Sequence, residues 1–184
     1  MNNHKRKIIL IDQDGVLANY HAHFLEIWRV EHPEKVWVSL EDSREHDVDK
    51  NYPSQFHNII DEIVVRKGFF GSFEPMPGAR EALENILALG HDVRICTAPK
   101  RDHTFCVPEK LAWIDRHLGH KWTERTIITR DKTLVHGDIL IDDKPNITGV
   151  CQPSWEHVFY DQPYNRAYNK RRLNWKNYKE VLAL

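Results

Sequence analysis

The sequence predicts an α/β fold, in which a parallel sheet is flanked by helices and a small helical segment is inserted after the first strand. Three observations predict it. Short apolar runs alternate with stretches of helical periodicity along most of the chain. The run 8–11 is apolar at every position, which is typical of a strand buried on both faces of a parallel sheet. Residues 19–75, in contrast, are rich in aromatic side chains and lack sustained alternation.

The composition is that of an ordinary globular protein. The chain has 184 residues, enough for one domain with an inserted segment. Lys and Arg total 26 and Asp and Glu total 27, a balance that argues against binding to a nucleic acid polymer or a membrane surface. No apolar stretch has the length of a membrane span. Three cysteines without metal-ligand spacing favour free thiols in a reducing cytoplasm.

The insertion 19–75 is predicted to be helical because its apolar residues recur at helical spacing. We expect most of its aromatic side chains to form a core of their own. Tyr20 is the exception, because it lies close in sequence to a pair of aspartates. We expect His21 and His23 to face solvent. The apolar residues at helical spacing are Phe24, Ile27 and Trp28, then Ile59, Ile60, Ile63 and Val64.

The remainder of the chain alternates helices and strands. Pro77 and Gly78 begin a helix that Gly90 ends, and a second helix runs from about Pro108 to Gly119. A capped helix is predicted at 174–182. The strands predicted after the first are 91–96, 126–129, 138–141 and 157–160.

Polar side chains follow four of these strands. The carboxyl ends of parallel strands share one edge of the sheet, where ligands bind in open α/β folds. We therefore expect these groups to converge on one crevice. They are Asp12 and Asp14, then Thr97, then Lys132, and finally Asp142 and Asp143.

This set of groups suits phosphoryl transfer. Clustered carboxylates repel one another unless a cation is present, and Mg²⁺ prefers oxygen ligands. A hydroxyl and an ammonium group can neutralise a phosphate, one aspartate can act as nucleophile, and a second can transfer protons. Taken singly, each group is better explained as a turn residue, a helix cap or a surface charge. Their joint placement after strands favours a site.

These residues resemble the four motifs of the haloacid dehalogenase (HAD) superfamily of phosphatases. The motifs are Asp12-Gln13-Asp14-Gly15-Val16, Thr97, Lys132, and Asp142-Asp143. Within the superfamily the chain resembles the 5′(3′)-deoxyribonucleotidases. The segments that carry this closer resemblance are 74–78, 95–99, 109–110 with Trp113, 129–133, 140–143 and 153–157.

The resemblance implies a Rossmann-like HAD core formed by residues 1–18 and 76–184, with residues 19–75 as a helical cap. It also implies a cytoplasmic, Mg²⁺-dependent enzyme that removes phosphate from (deoxy)ribonucleoside monophosphates through an aspartyl-phosphate intermediate. The implied partner is a small nucleoside monophosphate, and the resemblance is compatible with a homodimer.

Roles follow from the resemblance position by position. Asp12 is the implied nucleophile and Asp14 the general acid and base, while Thr97 and Lys132 hold the phosphate. The implied Mg²⁺ ligands are the Asp12 carboxylate, the Asp14 main-chain carbonyl and Asp143, with Asp142 behind them. The implied substrate-side residues are Tyr20, Phe70, Ala98 and Arg130.

The chain departs from the family where the base would bind. His46 and Asp47 precede Val48, where vertebrate members carry an aromatic pair. A tryptophan is replaced near Val64, and Ala98 stands where serine is frequent. Two alternatives therefore stay open: a phosphatase for another small phosphomonoester, and a non-catalytic nucleotide-binding module. The intact aspartate and lysine set argues against the second.

Overall fold

The computed structural model of the protein describes residues 6–101 and 103–184. Six strands within these residues form one fully parallel sheet, so the α/β fold class is confirmed. The strands are β1 (Ile8–Ile11), β2 (Asp92–Thr97), β3 (Thr126–Ile128), β4 (Ile139–Asp142), β5 (Glu156–Tyr160) and β6 (Arg172–Leu173). Their order across the sheet is β3-β2-β1-β4-β5-β6.

Six α-helices accompany the sheet in the described residues. They are α1 (Tyr20–Glu31), α2 (His57–Val64), α3 (Ala79–Ala88), α4 (Cys106–Leu118), α5 (His120–Thr123) and α6 (Tyr178–Leu182). Short 3₁₀ turns cover Val48–Asn51, Ser54–Phe56, Lys132–Leu134 and Pro163–Asn165. In the part of the chain that is described, no helix is both long and apolar enough to cross a bilayer.

Strand β1 lies at the centre of the sheet, between β2 and β4. Its residues 9–11 are completely buried, as its unbroken apolar sequence predicts. Two neighbouring strands run one residue further than predicted, because Thr97 pairs with Ile128 and Asp142 pairs with Phe159. Thr97 and Asp142 are therefore the last residues of their strands rather than the first residues of the following loops.

Two predictions at the C-terminal end need correction. The last helix begins at Tyr178 rather than Asn174, because the Asn174 side chain accepts hydrogen bonds from the backbone N–H groups of Lys176 and Asn177. That arrangement is a turn that competes with helix formation. Strand β6 was not predicted, because two residues are too few to give a periodic signal.

The aromatic side chains of the inserted segment (residues 19–75) do not form a separate core, so that prediction is wrong. Phe24 and Trp28 belong to the same buried cluster as Ile9 and Ile11 of the central strand. The first residue of the segment is hydrogen-bonded to its next-to-last residue, since Asn19 N–H donates to the Glu74 carbonyl (2.9 Å). This pairing joins the two ends of the segment. The division into core 1–18 and 76–184 and cap 19–75 stays a prediction, as does the homodimer.

All three cysteines are free thiols, as predicted. Cys96 and Cys106 are buried, and Cys151 is exposed.

Candidate active site

The loop after β1 carries the first two aspartates. Asp12 N–H donates to the Ile141 carbonyl of β4 (2.9 Å), which fixes the start of the loop beside the neighbouring strand. Gly15 has a φ of 74°, a conformation that favours glycine. A Cβ at Gly15 would also overlap the Asp143 carboxylate. The loop and the end of β4 therefore approach each other closely only because residue 15 has no side chain.

Lys132 is buried between two carboxylates. Its Nζ lies 2.8 Å from Asp12 Oδ1 and 2.6 Å from Asp142 Oδ2, and its side chain is 7% exposed. Burial alone would lower the pKa of Lys132, but the two carboxylates more than offset this and hold the pKa above its ordinary value. Lys132 is therefore a permanent positive charge beside the predicted nucleophile.

A second buried lysine, Lys110, was not predicted as a site residue. Its Nζ donates to Asp14 Oδ2 and to Thr97 Oγ1, both at 2.7 Å, and the residue is 1% exposed. It lies on α4, on the face that also buries Cys106 and Trp113. A lysine at helical spacing within an apolar face is the signal that could have identified it.

Asp142 and Asp143 differ in their partners. Asp142 accepts hydrogen bonds at both oxygens, from Lys132 and from the Lys144 backbone N–H (2.9 Å). Asp143 Oδ2 accepts from the Tyr164 hydroxyl, whereas its buried Oδ1 has no hydrogen-bond partner among the described residues. Burial is the main reason that the pKa of Asp143 is raised to about 7; His46 opposes this, and the neighbouring aspartates add to it.

The site has a set of oxygen atoms that could act as ligands of a divalent cation. Oxygen atoms of Asp12, Asp142 and Asp143 all lie within 4.8 Å of one another. Oδ1 of Asp14 is also buried without a partner among the described residues, like Oδ1 of Asp143. Buried carboxylate oxygens without donors are costly unless a cation or a proton satisfies them. Because all these ligands are hard oxygens, the residues fit Mg²⁺.

The turn after β5 supports the loops that carry the aspartates, and it was also missed. Gln162 Nε2 donates to the Gly15 carbonyl (2.7 Å), and Asn165 Nδ2 donates to the Asp143 carbonyl (2.9 Å). With the Tyr164 hydroxyl, these contacts tie both loops to one short 3₁₀ turn. In the sequence this region is only a polar loop, and no periodic pattern marks it.

A cavity of about 650 Å³ lies between the sheet edge and the inserted segment. The aspartates and the two buried lysines of the site line it, whereas Thr97 and the turn after β5 lie behind its wall. The predicted substrate-side residues all line it: Tyr20, Phe70, Ala98 and Arg130. The Tyr20 and Phe70 ring centroids are 6.2 Å apart. Phe70 is 3% exposed, so it forms part of the cavity wall through a small part of its surface. Ala98 and Arg130 are exposed at the rim.

The expectation that His21 faces solvent is wrong, whereas His23 is partly exposed. His21 lines the cavity and donates from Nε2 to the His46 carbonyl (3.0 Å). Burial lowers the pKa of His21 to about 3, so the ring is neutral at physiological pH. His23 packs against Phe69 and Phe73. Both histidines are partly buried. Residues of the inserted segment pack against both, and the Tyr164 ring lies 4.6 Å from that of His21.

The two departures from the family pattern, His46 and Asp47, also line the cavity. His46 Nδ1 lies 3.0 Å from Asp47 Oδ1, and Lys50 Nζ lies 2.7 Å from Asp47 Oδ2. Burial lowers the pKa of His46, but the hydrogen bond to Asp47 and the charge of Asp143 outweigh it and raise the pKa overall. This side of the cavity therefore has a polar pair where the resemblance implies an aromatic one.

The parallel sheet, with carboxylates at the ends of its strands, has the fold of the HAD hydrolases. A solved HAD family hydrolase from Deinococcus radiodurans R1, which holds phosphate and sodium, superposes with a TM-score of 0.59. The alignment covers 97% of this chain and 95% of that chain at 16% identity, which supports the fold alone.

The sequence comparisons identify the family. The profile of the 5′ nucleotidase, deoxy (pyrimidine), cytosolic type C protein family matches residues 6–184, and the chain belongs to this family. A Bordetella bronchiseptica protein, provisionally named 5′(3′)-deoxyribonucleotidase, is 46% identical over 96% of this chain and 95% of its own length. The human cytosolic-type 5′(3′)-deoxyribonucleotidase is 38% identical over 95% of this chain and 92% of its own length. The predicted resemblance is confirmed, and the chain is an enzyme of the phosphomonoesterase type.

Proposed function

We propose that this enzyme is a Mg²⁺-dependent 5′(3′)-deoxyribonucleotidase that hydrolyses (deoxy)ribonucleoside monophosphates through an aspartyl-phosphate intermediate. One observation carries the proposal: two buried lysines and a cluster of aspartates meet at the sheet edge of one cavity. Lys132 and Lys110 supply positive charge, and Asp12, Asp14 and Asp143 supply carboxylates. Phosphoryl transfer depends mainly on such positioning and charge neutralisation.

The proposed metal ligands are the Asp12 carboxylate, the Asp14 main-chain carbonyl and Asp143. Asp142 is assigned a supporting role, because Lys132 and the Lys144 N–H already occupy its two oxygens. The free Oδ1 of Asp143 supports this division. When bound, Mg²⁺ neutralises the negative charge of the carboxylates and of the substrate phosphate.

The chemical steps are assigned to Asp12 and Asp14. An Asp12 carboxylate oxygen attacks phosphorus, the ester P–O bond breaks, and the Asp14 carboxyl gives its proton to the leaving oxygen. Asp14 then takes a proton from water, the water oxygen attacks phosphorus, and the bond to Asp12 breaks. The products are phosphate and the free Asp12 carboxylate. The Thr97 hydroxyl and the two lysines hold the phosphate oxygens.

The nucleoside is proposed to occupy the part of the cavity lined by Tyr20, Phe70, Ala98 and Arg130. The 650 Å³ volume supports a ligand of this size. We place the enzyme in the cytoplasm, which its free cysteines support.

Phosphate release from dUMP, dTMP, dGMP and 4-nitrophenyl phosphate, with Mg²⁺ and with EDTA, tests the proposal. Release from the nucleotides that stops in EDTA is expected. Release from the aryl phosphate alone would favour a phosphatase for another small phosphomonoester. Nucleotide binding without release would instead identify a non-catalytic module.

A further inference from the structure

The inserted segment returns to the sheet through residues 68–73, which lie along one face of α4. Three side chains of that helix hold this loop, at positions four and three residues apart. They are Glu109, Trp113 and Arg116, and their partners are backbone groups of residues 68–73. Trp113 Nε1 donates to the Phe73 carbonyl (2.7 Å). The loop is therefore fixed by the helix that also carries Lys110.

Glu109 makes the contacts nearest to the site. Its Oε1 accepts from the Gly68 N–H (2.6 Å), and its Oε2 accepts from the Phe70 N–H (3.1 Å). One partly buried carboxylate thus binds two backbone donors that flank residue 69. Hydrogen bonds to a charged acceptor are shorter and stronger than neutral ones, so this contact fixes the backbone of Phe70.

The fixed residue lies against the phosphate end of the cavity. Lys110 Nζ is 5.5 Å from the centroid of the Phe70 ring, and the same Nζ binds Asp14 and Thr97. The Phe70 ring is also packed against Phe73 and Tyr20. Two adjacent residues of α4 therefore have different partners. Glu109 holds the loop that carries Phe70, and Lys110 holds Asp14 and Thr97.

We infer that Glu109 is a positioning residue that sets the place of Phe70, and through it the affinity for the nucleoside part of the substrate. The inference rests on the proposed function. It assigns no role to Glu109 in binding the phosphate, because Lys110 is held independently by Asp14 and Thr97. The carboxylate acts on the loop alone.

The test is the Glu109→Ala variant, assayed for KM and kcat with dUMP at saturating Mg²⁺, and for competitive inhibition by inorganic phosphate. We expect KM to rise about tenfold, equivalent to about 1.4 kcal/mol. We expect kcat and the phosphate inhibition constant to stay within about twofold, since phosphate occupies only the lysine end. Glu109→Gln keeps one acceptor oxygen and should give an intermediate KM.

Glu84→Ala is the matched control. Glu84 also accepts two hydrogen bonds, from Lys121 and from Trp122 Nε1, but neither partner lines the cavity. It should lower thermal stability by a similar amount and leave KM unchanged. An unchanged KM in Glu109→Ala would overturn the inference. So would a parallel change in KM, kcat and phosphate inhibition, which is the signature of general loosening.

Amide hydrogen exchange gives a readout that needs no turnover. In Glu109→Ala or Glu109→Gln, the amides of residues 68 and 70 should exchange faster, while those of β1 stay protected. Unchanged exchange at both amides would overturn the inference. A wild-type protein that releases no phosphate from any nucleotide would refute the proposed function, and the exchange result would still decide whether Glu109 fixes the loop.

Discussion

The two sides of the cavity are built differently. On the sheet side, every functional group lies at the end of a strand or on the helix that follows, and a charged or hydroxyl-bearing neighbour holds it. Lys132 between Asp12 and Asp142 is the main example. On the side of the inserted segment, aromatic rings are held by packing, and the neutral His21 donates a hydrogen bond to the His46 carbonyl. His46 and Asp47 form a polar pair there.

Under the proposed function, the sheet side carries out the reaction and the side of the inserted segment recognises the substrate. The hydrogen bonds between strands fix the backbone at the strand ends. A substitution that removes a charged side chain there should therefore leave the neighbouring backbone in place. The inserted segment has no such ladder, and its cavity-lining residues lie on α1, on α2 and on the loops around them. We therefore expect large effects on turnover from the sheet side and smaller effects on substrate choice from the other side.

The largest effect is expected at Asp12. Asp12→Asn should lower kcat by at least about a thousandfold, because an amide is a poor nucleophile and a poor metal ligand. Asp14→Asn should lower kcat by a smaller but still large factor. The measurement is phosphate release by protein cleared of contaminating phosphatase, with Asp115→Asn at the far end of α4 as the control. Near-normal turnover in Asp12→Asn would contradict the proposed mechanism.

Removal of Lys110 should rank second. Lys110→Met keeps a long side chain but leaves Asp14 and Thr97 without their shared donor. We expect kcat/KM to fall about a hundredfold, or about 2.7 kcal/mol. Lys121→Met, which removes an exposed lysine paired with Glu84, should have no effect. A loss of less than about threefold in Lys110→Met would mean that Lys132 alone neutralises the phosphate.

Variants of the adjacent residues Asp143 and Asp142 should affect different properties, metal binding in the first case and stability in the second. Asp143→Ala should raise the Mg²⁺ requirement by about ten- to a hundredfold, because it removes a free ligand oxygen. Asp142→Ala should affect Mg²⁺ less but lower the free energy of unfolding by about 3 kcal/mol, since Lys132 loses a buried partner. Mg²⁺ titration and thermal denaturation of both variants check this. The reverse order would exchange the two roles.

Substrate choice should vary less than turnover. A stacking contact contributes roughly 1–3 kcal/mol, and His46 and Asp47 lie where the family resemblance implies an aromatic pair. We expect kcat/KM for dUMP, dTMP, dGMP and an aryl phosphate to span about two decades or less. His46→Phe should widen that spread by about tenfold. A preference for one nucleotide of more than about a thousandfold would mean that His46 or Asp47 recognises a base by hydrogen bonding.

The smallest effect concerns pH in the presence of EDTA. The pKa of Asp143 is raised to about 7 in the folded protein, from an ordinary value of 3.8. The folded state therefore binds a proton below about pH 7 that the unfolded state lacks until about pH 4, so this group favours folding more as pH falls. The Tm of the wild type and of Asp143→Asn is measured between pH 8 and pH 6. For each pH unit by which the pH falls, the Tm of the wild type should change more favourably than that of the variant, by up to about 4 °C. Identical slopes would contradict the burial of this carboxylate.

The fold could be predicted in most of its elements, because they rest on local patterns. The apolar run 8–11 predicted the central strand, and helical spacing predicted α1, α2, α3 and α4. Strand β6 was missed because its pairing with β5 defines it. The start of α6 was misplaced because side-chain hydrogen bonds of Asn174 set it. The separate core expected for the inserted segment was wrong for a similar reason. Its hydrophobic spacing indicates a buried face but does not indicate what covers that face.

The sequence by itself determined the chemistry of the site. Parallel strands end at one edge, so Asp12, Thr97, Lys132 and Asp143 had to converge once the alternation of strands and helices was recognised. Only the tertiary structure decided which groups hold them. Lys110 and Tyr164 reach the site from a helix and a turn distant in sequence, and Glu109 contacts a loop 39 residues away. Such contacts depend on how separate elements pack, and the periodicity of each element carries no information about its neighbour.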